Sequence, residues 1–251
     1  MTYSFVLLRG LIREAGHWGP FLDELREKFP ESTIACIDIP GAGVRYQDPS
    51  PISMGDIVET MREDFQRLKL PADRPVALVA ISLGGMIAAQ WFQSYPQDFQ
   101  AVVLINTSYG SMSPLWHRLQ PRALGMLLKV PLLKGVAKEH RILEVVSNRQ
   151  DKYQAVAESW GHIAALRPVS LPNTFRQLIA AARFKTKVSR PGMPALLLSS
   201  VHDRMVSVEC MRTIAKAWKL PTVDHPTAGH DLPTDEPRWA AEQIHRFIIS
   251  L

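Results

Sequence analysis

A chain of 251 residues, 46% apolar and 21% charged, has material for one sizeable core. Its composition is that of an ordinary globular protein, not a disordered, collagenous or disulfide-stapled one. The net charge is +5, but with no repeat, low-complexity tract or nucleic-acid-binding motif, nucleic acid is not an expected partner. No apolar run approaches the ~20 residues that span a bilayer. Residues 1–10 lack the basic start and long apolar stretch of a secretory signal. Cys36 and Cys210 lie far apart in apolar stretches and read as buried reduced thiols, so the expected compartment is cytoplasmic.

Along the chain, short apolar runs alternate with segments whose apolar residues recur every three or four positions. The pattern predicts a strand over 5–8, a helix over 18–29, a strand over 33–37, a helix over 52–68, a strand over 76–80, a helix over 86–95 and a strand over 101–105. The interval that follows reads as helices over 115–128, 137–148, 152–166 and 172–184. It is punctuated by Pro114, Pro121, Pro131, Pro168 and Pro172, residues that open or end helices. A strand over 195–199, a helix over 208–218, a strand over 222–225 and a helix over 237–249 complete the chain. Strands that are apolar throughout and separated by helices imply a parallel sheet covered on both faces. The expected fold is therefore α/β: a doubly wound, mostly parallel sheet of about six strands. Residues 1–107 and 191–251 are expected to form the core, and 108–190 a helical cap inserted beside the sheet's carboxyl edge, where ligands of open parallel sheets bind. This insertion carries 14 Lys and Arg against 4 Asp and Glu, whereas the remainder carries 15 against 20. Such asymmetry points to an anionic partner for the cap, an acidic carrier protein or an anionic lipid surface; a solvated helical face is the plainer alternative.

The chemically most informative stretch is Val76-Ala77-Leu78-Val79-Ala80-Ile81-Ser82-Leu83-Gly84-Gly85-Met86. An apolar strand leads to one serine, then to two glycines and a helix. A serine on so tight a strand-to-helix turn projects its hydroxyl above the sheet, and small neighbours permit the bend. The stretch fits the nucleophile-elbow pattern G-x-S-x-G with Ala80 at the first glycine; an N-capping serine on an ordinary turn is the bland alternative. A serine hydroxyl needs a base, and a histidine base needs a carboxylate to orient it. Two loops in the C-terminal third offer both in the order acid then histidine: Val201-His202-Asp203-Arg204 after one strand and Ala228-Gly229-His230-Asp231 after the last. Asp224 and Asp231 rival Asp203. His17, His117, His140, His162, His202, His225 and His245 lack the Gly-His-Asp context of His230. The position after Ile105, another place for an acid, reads Asn106-Thr107-Ser108-Tyr109 with no carboxylate. With no metal-ligand spacing, phosphate loop or dinucleotide fingerprint, neither metal nor cofactor is expected.

Three further motifs, Leu8-Arg9-Gly10-Leu11, His17-Trp18-Gly19-Pro20 and Asp38-Ile39-Pro40-Gly41-Ala42-Gly43, complete a pattern that resembles the α/β-hydrolases over nearly the whole chain. The resemblance is to the small lidded serine hydrolases of that family. It implies Ser82 as nucleophile, His230 as general base, Asp203 as its partner, and an oxyanion hole from the backbone N–H groups of Leu11 and Leu83. Arg9 stands where the family usually has histidine. Arg9, Leu11, Trp116 and Trp160 are the candidate substrate contacts, within an apolar pocket to which Met112, Leu115, Leu119, Met126, Leu127, Leu128 and Phe175 could also contribute. The implied reaction is hydrolysis of a carboxylic ester or thioester of a small to medium acyl group. Hydrolysis of a carbon–carbon bond in a ring-cleavage diketone and non-catalytic ligand reception are the alternatives that the same scaffold supports.

Overall fold

The computed structural model describes residues 2–185 and 188–251. The first run of elements is β1 (Ser4–Leu8), α1 (Phe21–Lys28), β2 (Ile34–Cys36), α2 (Met54–Arg67), β3 (Val76–Ile81), α3 (Leu83–Ser94) and β4 (Ala101–Ile105). Between β4 and the next strand lie α4 (Leu115–Arg118), α5 (Pro121–Leu127), α6 (Gly135–Val146), α7 (Tyr153–Leu166) and α8 (Leu171–Arg183). The chain ends with β5 (Ala195–Ser200), α9 (Val208–Trp218), β6 (Thr222–His225), α10 (Leu232–Asp235) and α11 (Pro237–Ile249). The six strands form one parallel sheet in the order β2-β1-β3-β4-β5-β6.

Every side chain of β1, β3 and β4 is buried, which explains why these strands read as continuous apolar runs. Their alternate residues feed two cores. Val6, Leu8, Leu78, Ala80 and Leu104 pack with Ile57, Ile87 and Ile214 of α2, α3 and α9 on one face. Phe5, Leu7, Val79 and Ile105 pack with Phe21, Leu25 and Ile244 of α1 and α11 on the other. A third cluster joins α5, α6 and α7 through Ala123, Leu143, Ala157 and Trp160, whereas α8 sets Ala180 into the first core.

Several boundaries differ from expectation for local reasons. Trp18 belongs to a single 3-10 turn, Ala15–Trp18, separated from α1 by Gly19 at φ 49° and Pro20. The helix expected over 115–128 is two helices, because Pro121 opens α5 and cannot continue α4. The helix expected from residue 86 begins at Leu83, directly after the serine. The short α10 was not anticipated.

The strand order reverses its direction of growth between β1 and β3, so the crevice above their carboxyl ends is the topological switch point. The backbones come very close there. A Cβ added to Gly84 would lie 2.6 Å from the Leu8 carbonyl oxygen and 2.7 Å from that of Arg9. The Asp-Ile-Pro-Gly-Ala-Gly loop braces the same corner: buried Asp38 accepts from the Ala15 and Val44 amides at 2.7 and 3.0 Å and fills the space a side chain on Gly43 would need. Gly84→Ala is expected to destabilise the protein by about 1–3 kcal/mol through overpacking, lowering the thermal midpoint by about 2–10 °C for a chain of this size. Gly125→Ala, in α5 with nothing within 4 Å of the new methyl, should leave the midpoint unchanged or raise it. Differential scanning calorimetry of the two variants checks the contrast.

Candidate active site

Ser82 sits at the switch point in a backbone conformation (φ 56°, ψ −119°) that residues with a side chain rarely adopt. Its surroundings hold it there. The Ser82 N–H donates to the Ile105 carbonyl at 2.9 Å, and the Ser82 carbonyl accepts from the Gly85 N–H at 2.9 Å and the Thr107 hydroxyl at 2.8 Å. Gly85 leaves room for Thr107, whose side chain would be 2.5 Å from an added Cβ. Ala80 faces the buried first core within β3, so its methyl has a place that does not disturb the bend.

The Ser82 hydroxyl lies 2.9 Å from Nε2 of His230, and Nδ1 of His230 lies 2.7 Å from Oδ2 of Asp203. The other Asp203 oxygen accepts the Met205 and Val206 amides, each at 2.8 Å. Asp203 follows β5 and His230 follows β6, and both are buried. Burial acts to lower the His230 pKa, but the charge and hydrogen bond of Asp203, with a smaller contribution from Asp231, outweigh it and hold the imidazole above its ordinary value. The arrangement can move the Ser82 proton onto an oriented imidazole and stabilise the resulting cation.

The rival carboxylates are engaged elsewhere. Asp231 forms a bidentate pair with Arg9, at 3.1 and 2.5 Å; Asp224 accepts the Ser199 hydroxyl. Among the other histidines, His17 is buried against Arg13 and the Glu14 amide, and His225 stacks edge-on against Trp239.

Two residues outside the sequence-based set hold the His230 loop. Asn106, also left-handed at φ 44°, donates to the His230 carbonyl at 2.8 Å and the Ser200 hydroxyl at 3.0 Å, and accepts the Ser200 amide at 2.9 Å. Asp235 accepts the Gly229 amide at 2.7 Å and also the Asn148 amide and Ser147 hydroxyl beyond α6. An asparagine where an acid was sought, after Ile105, was the one signal in the sequence for Asn106.

A cavity of about 270 Å³ opens beside Ser82 and His230. Arg9, Leu11, Arg13 and Asp231 are among its lining, and α5, α6 and α8 supply Leu124, Leu127, Ile142 and Phe175. Of the expected pocket residues, Leu119, Leu127, Leu128 and Phe175 line it. Trp116 and Trp160, expected to contact substrate, are not among the residues that line it. Trp116 sits on the short α4 and is 63% exposed; Trp160 is held in the α5–α7 core with the Arg13 guanidinium 4.1 Å from its ring. Met112 packs instead against the main core, and Leu115 faces solvent.

Leu11 borders the cavity, while Leu83 is buried as the first residue of α3, where an amide has no partner within its own helix. The Leu11 loop runs against the serine, since a Cβ on Gly10 would lie 3.1 Å from the Ser82 Cβ. It is fastened to the helices between β4 and β5. Ile12, at φ 54°, donates its N–H to Gln177 at 3.0 Å, Arg13 pairs with Glu139 at 2.7 Å, and Glu14 pairs with Arg167. Among the described residues no group of three or more His, Cys, Asp or Glu side chains is placed to hold a metal ion, and no helix is long and apolar enough to cross a membrane.

The family model described as "Alpha/beta hydrolase family" matches residues 5–243. Pimeloyl-[acyl-carrier protein] methyl ester esterase of Xylella fastidiosa is 26% identical over 104 residues, 41% of this chain; the match spans 36% of that relative's length. Monoacylglycerol lipase ABHD6 of Homo sapiens is 23% identical over 234 residues, 87% of this chain and 68% of the relative. Among solved structures, the 2-hydroxy-6-oxo-6-phenylhexa-2,4-dienoate hydrolase of Rhodococcus sp. strain RHA1 superposes with a TM-score of 0.77 at 17% identity, covering 99% of this chain and 91% of the other.

The histidine's electrostatics give a direct test. Ring titration followed by nuclear magnetic resonance should place the His230 midpoint above the ordinary ~6.5. Asp203→Asn removes the main group that favours the cation and leaves burial and Arg9 acting in the opposite sense, so the midpoint should fall.

Proposed function

The chain belongs to the alpha/beta hydrolase family, and we propose that it is a serine hydrolase that cleaves a carboxylic ester, or thioester, of a small to medium acyl group through an acyl-enzyme. The observation that carries this reading is the unbroken Ser82–His230–Asp203 hydrogen-bond chain at the end of an apolar cavity.

In this reading His230 Nε2 takes the Ser82 proton as Oγ attacks the carbonyl carbon. The Leu11 and Leu83 amides receive the developing oxyanion, each such donor contributing roughly 3–4 kcal/mol to transition-state stabilisation. Asp203 holds Nδ1–H and stabilises the imidazolium. His230 then protonates the leaving alcohol or thiol, and water, deprotonated by the same imidazole, releases the acid. The names of the Xylella esterase and the human lipase support ester chemistry. The Rhodococcus likeness is one of fold, and hydrolysis of a carbon–carbon bond in a diketone is the second reaction this geometry accommodates.

The segment 108–190 serves as a lid in this proposal. Exposed Leu128 and Leu132, at 70% and 83%, flank exposed Lys129, with Lys134 close behind in sequence. Apolar side chains set among cations suit an anionic lipid surface that presents acyl chains to the cavity.

Ser82→Ala is expected to lower turnover of p-nitrophenyl butyrate by about 10⁴-fold or more and to abolish labelling by a fluorophosphonate; retained turnover rejects Ser82 as nucleophile. The general base must be neutral, so kcat/KM should rise with pH through the raised His230 pKa, with an acid limb centred above ~6.5. Reversing Lys129 and Lys134 to Glu should weaken sedimentation with phosphatidylglycerol vesicles while hydrolysis of the soluble ester persists. If the reversal instead weakens binding of an acidic acyl carrier protein and leaves vesicle binding intact, the partner is the carrier.

A further inference from the structure

Both cations at the cavity wall are already neutralised from within the protein. Arg9, 3% exposed, gives both terminal nitrogens to the two oxygens of Asp231, itself 5% exposed, and its guanidinium lies 4.9 Å from the Trp18 ring. Burial would raise the Asp231 pKa, but Arg9 outweighs it and keeps the carboxyl below the usual range, so the pair is ionic. Arg13, 7% exposed, pairs with Glu139, 1% exposed, at 2.7 Å. Arg9 Nε and Arg13 Nη2, which have no hydrogen-bond partner, are covered by other atoms. Among the described residues, Thr174 is the one polar side chain lining the cavity beyond Ser82, His230 and these pairs.

We infer that the acyl group this cavity accepts is an uncharged hydrocarbon chain, and that the Arg9–Asp231 and Arg13–Glu139 pairs set this specificity by withholding both cations from the substrate. The inference rests on the ester-hydrolase reading and deepens it. A carboxylate on the chain would have to be buried without a counter-ion, or take a guanidinium from its partner and leave that partner charged and unpaired; both are strongly unfavourable. The same logic disfavours diketone substrates that carry a carboxylate into the cavity.

The charge pairs also supply the test. Wild-type protein is assayed on p-nitrophenyl octanoate and on the mono-p-nitrophenyl ester of octanedioic acid, which have equal chain lengths but differ by one terminal carboxylate. The expected result is a kcat/KM at least about 100-fold lower for the anionic ester. Glu139→Gln preserves shape and a hydrogen-bond acceptor but strips Arg13 of its counter-charge, and should raise the anionic-to-neutral ratio at least about tenfold. Glu139→Gln combined with Arg13→Gln removes both charges and should return the ratio toward wild type. Asp231 is left intact because it also influences His230. Comparable wild-type rates on the two esters overturn the inference. Comparable rates together with fluorophosphonate labelling of Ser82 leave the hydrolase reading standing, whereas absence of both labelling and turnover on either ester removes the reading and the inference together. If the single variant is too unstable to assay, the wild-type comparison still decides.

Discussion

The molecule depends on one steric constraint, the near-contact of two parallel backbones where β1 and β3 end. Gly10 is against Ser82, and Gly84 is against the carbonyls of Leu8 and Arg9. At such separations no side chain fits, and the chain following Ile81 must turn through a left-handed residue to start α3. That turn lifts the Ser82 oxygen toward His230 and starts α3 at Leu83. The parallel sheet contributes the rest of the placement, because loops that leave β5 and β6 on the same edge deliver Asp203 and His230. Three side chains up to 148 positions apart thereby come within hydrogen-bond range.

Rigidity at this edge comes from buried polar groups, not from apolar packing alone. Asn106 ties β4 to β5 and to the His230 carbonyl, Asp235 ties the same loop to the end of α6, and Asp38 ties the turn before α1 to the loop after β2. Each forms several hydrogen bonds, the condition under which buried polar atoms specify a conformation at little cost. The Arg9–Asp231 pair belongs to this set as well. It spans 222 positions and joins the first loop to the residue after His230.

The fold was legible because each core strand is a short apolar run and each covering helix repeats its apolar residues every three or four positions. The six strands were recovered to within one or two residues. The serine loop and the Gly-His-Asp loop were legible for a different reason: their residue types have few other uses in those contexts. What escaped depended on contacts between distant segments. Nothing local to Trp160 reveals that Arg13 stacks on it, and nothing local to Trp116 reveals that α4 turns it to solvent. Arg9 was visible as a departure from the family pattern, but its partner lies at the far end of the chain. The split of 115–128 at Pro121 was within reach of the sequence, since a proline at a helix start also marks the end of whatever precedes it.

The anchoring of residues 12–14 has a mechanical consequence. Ile12, Arg13 and Glu14 are tethered to Gln177 of α8, Glu139 of α6 and Arg167 beyond α7, and the Leu11 amide is one peptide away from the first tether. Outward displacement of those helices would drag on the loop and shift that amide relative to Ser82. In the proposed reaction that amide receives the oxyanion, so the seating of these helices over the chamber and the alignment of the donor would be geared to each other.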